Sequence, residues 1–159
     1  MPSRQEIESG LRELAGRLAA DLGLEIVELA LRGGGRKQLF RVDVDRVGAK
    51  GVSIEDCQQL SHALGRALDG AELIPGAYML EVSSPGADRP IRTSDDIRRN
   101  TGRRVIVLAT APGSSTEQRS YQGLLLGEEN GSLLIRDDSG ATVRIAHERV
   151  LSAKQELVF

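Results

Sequence analysis

The most constraining part of the sequence is the segment of residues 78–91, in which a strand pattern runs directly into a stiff polar loop. Tyr78, Leu80 and Val82 are apolar residues at every second position, which is the period of a half-buried strand. The residues that follow include two serines, two prolines and one glycine, all of which favour turns. We therefore predict a strand over residues 78–83 and a domain boundary in a linker over residues 85–93.

Two amphipathic helices are predicted before this strand. Ser3 and Glu6 have the spacing of a capping box, and apolar residues recur at helical spacing until Gly23 offers a stop. A second helix is predicted to start near Ser53, whose hydroxyl can cap a first turn that carries two acidic residues. The residues expected on the buried stripes are Ile7, Leu11, Leu14, Leu18 and Leu22 in the first helix, and Ile54, Cys57, Leu60, Leu64 and Leu68 in the second.

Two alternating runs, with Val27, Leu29 and Leu31 in the first and residues 40–45 in the second, flank three consecutive glycines. This pattern predicts a β-hairpin with one covered face. The first half of the chain is therefore predicted to be α-β-β-α-β. Two helices with one apolar stripe each can cover one face of a three-stranded sheet, which gives a two-layer α+β domain.

The second half of the chain has a different pattern of apolar and turn-forming residues. A short helical turn is predicted from Ser94, followed by apolar runs and by loops of turn-forming residues. Short strands with tight turns in about 65 residues indicate a small β-barrel, since closing a sheet removes its exposed edges. The runs are residues 105–108, 121–126, 133–135, 143–145 and 150–151, and the predicted loops are residues 112–115, 127–131 and 137–140.

Two segments carry a resemblance to a known family. The string Leu-Glu-Val-Ser-Ser-Pro-Gly at residues 80–86, followed by Asp-Arg-Pro at residues 88–90, closely resembles the central signature of the RimP family of bacterial ribosome maturation factors. Residues 51–57, followed by Leu68 and Asp69, resemble the helix that precedes that signature in the same family.

The resemblance implies a KH-like α+β domain over residues 1–84, a proline/glycine linker over residues 85–93 and an SH3-like β-barrel over residues 94–159. It also implies a non-enzymatic, cytoplasmic assembly factor that binds the small (30S) ribosomal subunit or its precursors. The implied partners are 16S rRNA and a ribosomal protein of the decoding region. Six residues are expected to form the loop between the domains in a structural role: Ser83, Ser84, Pro85, Gly86, Asp88 and Pro90.

The charge of the chain is unevenly distributed. A net charge of −2 argues against a general binder of bare nucleic acid, which needs clustered Lys and Arg. Residues 89–104, however, contain six arginines and two aspartates, and a guanidinium can hold a phosphate with two hydrogen bonds. The candidate ribosome-binding residues are Arg89, Arg92, Arg98, Arg99, Arg103 and Arg104, with Arg36 and Lys37 on the glycine hairpin as a second group. The alternative interpretation is a solvated charged face without a partner.

Other recognition modes have little support. The chain has no Trp, two Tyr and two Phe, so recognition by base stacking is not expected. A Gly-x-x-Gly string at residues 48–51 lies between a strand and a helix and precedes Glu55 and Asp56, which would repel phosphate; we interpret it as a chance match. The one cysteine cannot form an internal disulfide, and neither a signal peptide nor a membrane helix is predicted.

Catalysis also has little support from the sequence. Cys57 lies on an apolar stripe, His62 faces another side of that helix, and no Walker A or dinucleotide fingerprint occurs. We expect no cofactor, no metal, no small-molecule substrate and no membrane partner. Two alternatives remain open beside the assembly factor: a protein-binding adaptor without RNA contact, and a hydrolase built from Ser83 or Ser84 with Asp88 and His147, although neither serine lies in a Gly-x-Ser-x-Gly elbow.

Overall fold

The computed structural model describes residues 2–34, 37–86 and 89–156 of the chain, and these residues form an α+β protein. They divide into two compact units. The first unit comprises Met1–Arg46 and Val52–Pro85, and the second comprises Val47–Gly51 and Gly86–Phe159. None of the helices in the described ranges combines the length with the apolar character that a bilayer crossing requires.

The first unit confirms the predicted α-β-β-α-β order. Strands β1 and β2 form an antiparallel hairpin, and β3 pairs in parallel with β2, so the sheet order is β1-β2-β3. Ser3 and Glu6 form the expected capping box at the start of the first helix, and Ser53 and Asp56 form one at the start of the second. The elements are α1 (Arg4–Asp21), β1 (Glu25–Gly34), β2 (Lys37–Asp45), α2 (Ile54–Ala71) and β3 (Tyr78–Ser83).

The core of the first unit lies between the two helices and the sheet. Each helix buries residues four positions apart, which lie on one face. They pack with the central strand β2, in which Phe40, Val42 and Val44 are completely buried. Burial of each large apolar side chain contributes about 1.5–3 kcal/mol to folding. The buried residues are Leu11, Ala15 and Ala19 in α1, Leu60, Leu64 and Leu68 in α2, and Phe40, Val42 and Val44 in β2.

Two predicted core positions were wrong. A β-bulge between Ile26 and Glu28 shifts the register of β1, so Ile26 packs against the core where Val27 was expected. Ile54 is 74% exposed, because it is the first residue of α2 and side chains in a helix point back beyond its N-terminus. Cys57 packs partly against the core, and burial raises the pKa of its thiol, as expected for a packing residue.

Arg46 connects the two helices of the first unit. Its guanidinium donates to the carbonyl oxygen of Leu22 at the end of α1, at 3.0 Å, and to the carboxylate of Asp56 in the first turn of α2, at 3.0 and 3.3 Å. The hydrogen bond from Arg46, followed by that from the Ser53 backbone, lowers the pKa of Asp56 to about 2. The hydrogen bond to Leu22 also satisfies a backbone carbonyl that α1 leaves free at its C-terminus.

The Arg46–Asp56 contact predicts how the first unit responds to acid. The pKa of Asp56 is lower in the folded chain than its ordinary value, so its stabilisation is complete above about pH 4 and is lost as the pH falls to about 2. We expect Asp56→Asn to lower the melting temperature at neutral pH and to flatten the loss of stability between those two values. Thermal melts over a pH series measure both effects.

Glu55→Gln serves as the control for this experiment, because it removes a charge from the same exposed helical turn without touching Arg46. It should leave the acid limb of the stability curve unchanged. Equal slopes for wild type and Asp56→Asn would contradict the assignment.

The second unit contains a short helix and a five-stranded antiparallel sheet. The sheet order is β7-β6-β5-β4-β8, so the first strand pairs with the second and with the last. All five predicted apolar runs lie in strands. The elements are α3 (Ser94–Asn100), β4 (Arg104–Thr110), β5 (Gln118–Glu129), β6 (Ser132–Arg136), β7 (Thr142–Ala146), a 3-10 turn (His147–Arg149) and β8 (Val150–Gln155).

The loop predicted over residues 127–131 was wrong in part, because β5 continues through Glu129 after a register shift between Leu125 and Gly127. The reversal is confined to Asn130 and Gly131, whose φ values are +50° and +77°. Two successive positive φ angles are typical of the type I′ hairpin turn, which fits the twist of paired strands. The turn is thus tighter than the composition of the segment indicates.

The core of the second unit is formed mainly by alternate strand residues, which point to one side of the sheet. Two residues that precede the first strand of this unit, Ile91 and Ile97, complete the core. Ile91 also extends the pairing of β8, since its N–H donates to the carbonyl oxygen of Ala153 at 2.8 Å. The completely buried members are Val107, Ala109, Ile135 and Ile145.

Candidate functional site

The candidate site is the arginine cluster that begins before α3 and ends in β4. Thr93 caps α3: its hydroxyl accepts from the Asp96 N–H, and the Asp96 carboxylate accepts from the Thr93 N–H, at 3.0 and 3.1 Å. Asp96 also accepts from the Arg92 N–H at 3.0 Å. Burial raises the pKa of Asp96, but the backbone hydrogen bonds outweigh it and hold the pKa below its ordinary value. Asp96 therefore stays ionised inside the unit.

Asp96 is also the counterion of two predicted site arginines. Arg99 donates to it at 2.5 Å, and both side chains are at least nine-tenths buried. The Arg89 Nε lies 3.9 Å from the same carboxylate. A buried pair of this kind helps to hold a fold in place but offers nothing to a partner at the surface. The structure therefore assigns Arg99 to packing, and Arg89 is half-buried.

Arg103 and Arg104 are held by residues far away in the sequence. Arg103 donates to the Gly48 carbonyl oxygen at 2.9 Å and to the Asn100 side chain at 3.3 Å. Arg104 contacts Asp138 at 2.9 Å and Glu156 at 3.1 Å. Both arginines are half-buried, so each keeps some contact with solvent while its position is fixed.

Arg92 and Arg98 are the exposed members of the cluster. Within the described ranges, the Arg92 guanidinium has no hydrogen bond or ion pair, whereas Arg98 lies 3.3 Å from Asp95. The Asp95 side chain is 73% exposed, and such surface pairs contribute little free energy because water and salt compete for both charges. Among the residues that the structure describes, Arg92 and Arg98 are therefore the members that present the charge of the cluster at the surface.

The second predicted group lies on the hairpin of the first unit. Lys37 is exposed at the start of β2, and the part of the chain that the structure describes contains no ion pair for it. Arg36 lies outside the described residues. This group therefore contributes one described cation, without the organised helix that carries the first group.

The serine and proline segment has structural contacts. The Ser83 hydroxyl donates to the buried carboxylate of Asp43 at 2.7 Å, which ties the end of β3 to β2. Ser84, Gly86 and Pro90 are exposed, and Pro85 is half-buried. Asp88 lies outside the described residues. Ser83 therefore holds strands of the first unit together, and the structural role of the segment between the domains stays a prediction.

The hydrolase alternative gains no support from these contacts. The Nε2 of His147 lies 3.2 Å from the Glu128 carboxylate, so its own unit occupies the nitrogen that a triad would use as a base. The Ser83 hydroxyl is likewise occupied by Asp43. Among the described residues, His, Cys, Asp and Glu side chains form no group of three or more that could hold a metal ion.

Sequence reasoning missed the internal carboxylates of the arginine cluster. One signal was available, since Thr93 and Asp96 have the same capping spacing as Ser3 and Glu6. Asp138 and Glu156 lie 34 and 52 residues from Arg104, so only the pairing of the strands brings them together.

Comparison with known proteins now identifies the family. The family model described as the RimP N-terminal domain matches residues 14–88. A curated protein of Microcystis aeruginosa named Ribosome maturation factor RimP is 35% identical over 144 residues, which cover 91% of this chain and 90% of that protein. The match includes both units and the segment that first indicated the resemblance. The chain therefore belongs to the RimP family of ribosome maturation factors.

Proposed function

We propose that this protein assists maturation of the small (30S) ribosomal subunit by binding the subunit or its precursors in the cytoplasm, without catalysing a reaction. The observation that carries the proposal is the 35% identity to a ribosome maturation factor along 91% of the chain. Similarity over this length involves both units. We therefore expect the role to belong to the whole protein and not to a single domain of it.

The order of the elements supports the folds that the family resemblance implies, and the described sheet of the second unit, β7-β6-β5-β4-β8, is not closed. The α-β-β-α-β order of the first unit, with two helices on one side of the sheet, supports a KH-like domain. In the second unit, the first strand lies between the second and the last, and a 3-10 turn precedes the last strand. This arrangement, with the register shift in β5, supports an SH3-like barrel. The domain bounds 1–84, 85–93 and 94–159 stay a prediction.

Arg92 and Arg98 are the proposed contacts to 16S rRNA, with the accessible parts of Arg103 and Arg104 beside them. The remaining arginines of the cluster set the position of α3 through Asp96. A phosphate can replace Asp95 as the partner of Arg98, because the exposed pair is weak and a guanidinium binds phosphate with directional hydrogen bonds. A small number of such interactions gives reversible binding, as a factor that leaves the mature subunit requires.

Neutralising the two exposed arginines tests this surface. We expect Arg92→Gln with Arg98→Gln to weaken binding to purified small-subunit precursors and to reduce the slope of log affinity against log salt by about 2, one for each phosphate that the variant no longer neutralises. Co-sedimentation in sucrose gradients over a range of salt concentrations measures both quantities. The wild-type protein is expected to migrate with small subunits or their precursors.

Arg12→Gln with Arg66→Gln is the matched control, since these arginines are exposed in the first unit and their loss changes the net charge equally. The control should retain the wild-type slope. An unchanged slope in the Arg92 and Arg98 variant would remove these residues from the interface. Absence of the wild-type protein from small-subunit fractions at every salt concentration would overturn the proposed function itself.

A protein-binding adaptor is the second candidate, and one observation favours it. The second unit has a groove of about 310 Å³ lined partly by apolar residues, among them Ile91, Ile97, Leu133 and Leu151, and Leu151 is 51% exposed. Such a groove suits a protein partner, including the decoding-region ribosomal protein that the resemblance implies. An adaptor would keep its partner after nuclease treatment and would show little dependence on salt.

A further inference from the structure

The β3 strand of the first unit is an open sheet edge. It pairs with β2 on one side, and no other described strand pairs with it. Every second residue of such a strand directs its N–H and C=O groups away from the sheet. These groups can pair with a further strand, so a long open edge normally requires protection or a partner.

A groove of about 470 Å³ lies beside this edge, on the side covered by α2. Side chains from the first turns of α2 form one wall, and residues 80–84 of the strand and the following loop form the other. Ile54, which is 74% exposed, lies on the helix wall. Alternate side chains of an added strand would point toward the helix layer and so toward the helix wall of this groove. The residues of the helix wall are Val52, Ser53, Ile54, Cys57, Gln58 and Ser61.

A second exposed apolar side chain, that of Met79, lies on the edge strand itself. Met79 of β3 is 73% exposed, and it alternates with Leu80, which packs against the core, so it lies on the opposite face of the sheet. Together with Ile54, it provides apolar contacts for both sets of side chains of a further strand. The described residues contain few large apolar side chains with comparable exposure.

The charges of the edge favour a basic partner. The groove lining contains no lysine or arginine, and Glu81 lies along the same strand on the face of Met79. The nearby Arg41 is shared between two carboxylates, at 3.3 Å from Asp43 and 3.8 Å from Glu81. Glu81 is about half exposed. An RNA phosphate would meet negative charge here, whereas a lysine or arginine on a neighbouring strand would form a cross-strand pair with Glu81.

We infer that the open edge of β3 binds an extended peptide segment of another protein, which adds a fourth strand to the sheet. The segment has apolar residues at alternate positions that face Ile54, and on its other face it has an apolar residue against Met79 and a lysine or arginine next to Glu81. A second copy of the chain fits less well, because two-fold pairing of β3 would bring the two Glu81 carboxylates close together. The inference does not depend on the proposed binding of rRNA.

Selection of random octapeptides displayed on phage against the full chain tests the inference. Enriched peptides are expected to alternate apolar residues with polar ones that include Lys or Arg. A synthetic copy of an enriched peptide should shift the backbone amide signals of residues 78–83. Methylation of the peptide amide nitrogens on one edge should raise the dissociation constant more than about tenfold, because it removes the backbone hydrogen bonds that hold the peptide to β3.

Two exposed positions provide variants that should still fold. Glu81→Lys is expected to weaken binding about tenfold and to favour a peptide in which glutamate replaces lysine, and Ile54→Ser should also weaken it. Glu148→Lys and Leu124→Ser, at exposed positions of the second unit, are the matched controls and should leave the affinity unchanged. The inference fails if no peptide is enriched, if methylation has no effect, or if RNA or a second copy of the chain alone perturbs residues 78–83.

Discussion

Replacing Asp96 by alanine is expected to destabilise the second unit by about 3–5 kcal/mol, because it leaves the buried Arg99 guanidinium without its counterion. The same change removes the acceptor of the Arg92 and Thr93 N–H groups at the start of α3. Native-state hydrogen exchange should show the loss at Val105, Val107 and Ile135 in the second unit. The amides of Phe40 and Val42 in the first unit provide an internal reference.

Asp95→Ala is the matched control, since it removes the neighbouring carboxylate from an exposed pair with Arg98. Its cost should stay below about 1 kcal/mol, as for surface ion pairs in general. Asp96→Asn keeps the shape of the side chain but loses the charge, so an intermediate effect is expected. Equal effects of Asp95→Ala and Asp96→Ala would show that Asp96 does not organise the cluster.

Gly123→Ala is expected to destabilise the second unit by about 3 kcal/mol or more, at the upper end for overpacking. A Cβ at this position would lie 2.2 Å from the carbonyl oxygen of Arg136 and 2.9 Å from the Ile135 Cγ2. The first neighbour is backbone of the adjacent strand, so relief requires β5 and β6 to separate. Urea denaturation followed by circular dichroism measures the loss.

Gly16→Ala in α1 is the matched control, because no atom lies within 4 Å of the added Cβ. Alanine has the higher helix propensity, so this variant should gain about 0.5–1 kcal/mol. The same substitution is therefore expected to act with opposite sign in the two units. A stabilising effect of Gly123→Ala would mean that the close approach of β5 and β6 is absent.

Much of the first unit could be predicted because its local signals agree with its packing. The capping serines and helical spacing predicted α1 and α2, and the alternation over residues 78–83 predicted β3 with its observed bounds. The errors at Val27 and Ile54 have local causes that periodicity does not contain. A bulge inserts one residue into a strand without changing its composition, and the exposure of a first-turn side chain depends on where the helix begins.

The residue types of the candidate site could be predicted from the sequence, but the contacts among those residues could not. The density of arginines over residues 89–104 indicated a cationic segment, and the segment is indeed rich in guanidiniums around α3. Which of them stay exposed depends on Asp96, Asp138 and Glu156, two of which reach Arg104 only through the sheet. A count of charges along the sequence therefore overestimates the positive surface, because it includes Arg99, which is buried against Asp96.

The shortness of α3 has a consequence for the growing polypeptide. A helix of seven residues does not persist alone in water, so the spacing between Arg92 and Arg98 is defined only after Asp96 and the strands have assembled around it. A chain still emerging during translation carries the same formal charges without that spacing. It can attract polyanions only diffusely, so the docking that we propose requires β8, the last described strand, to have been synthesised.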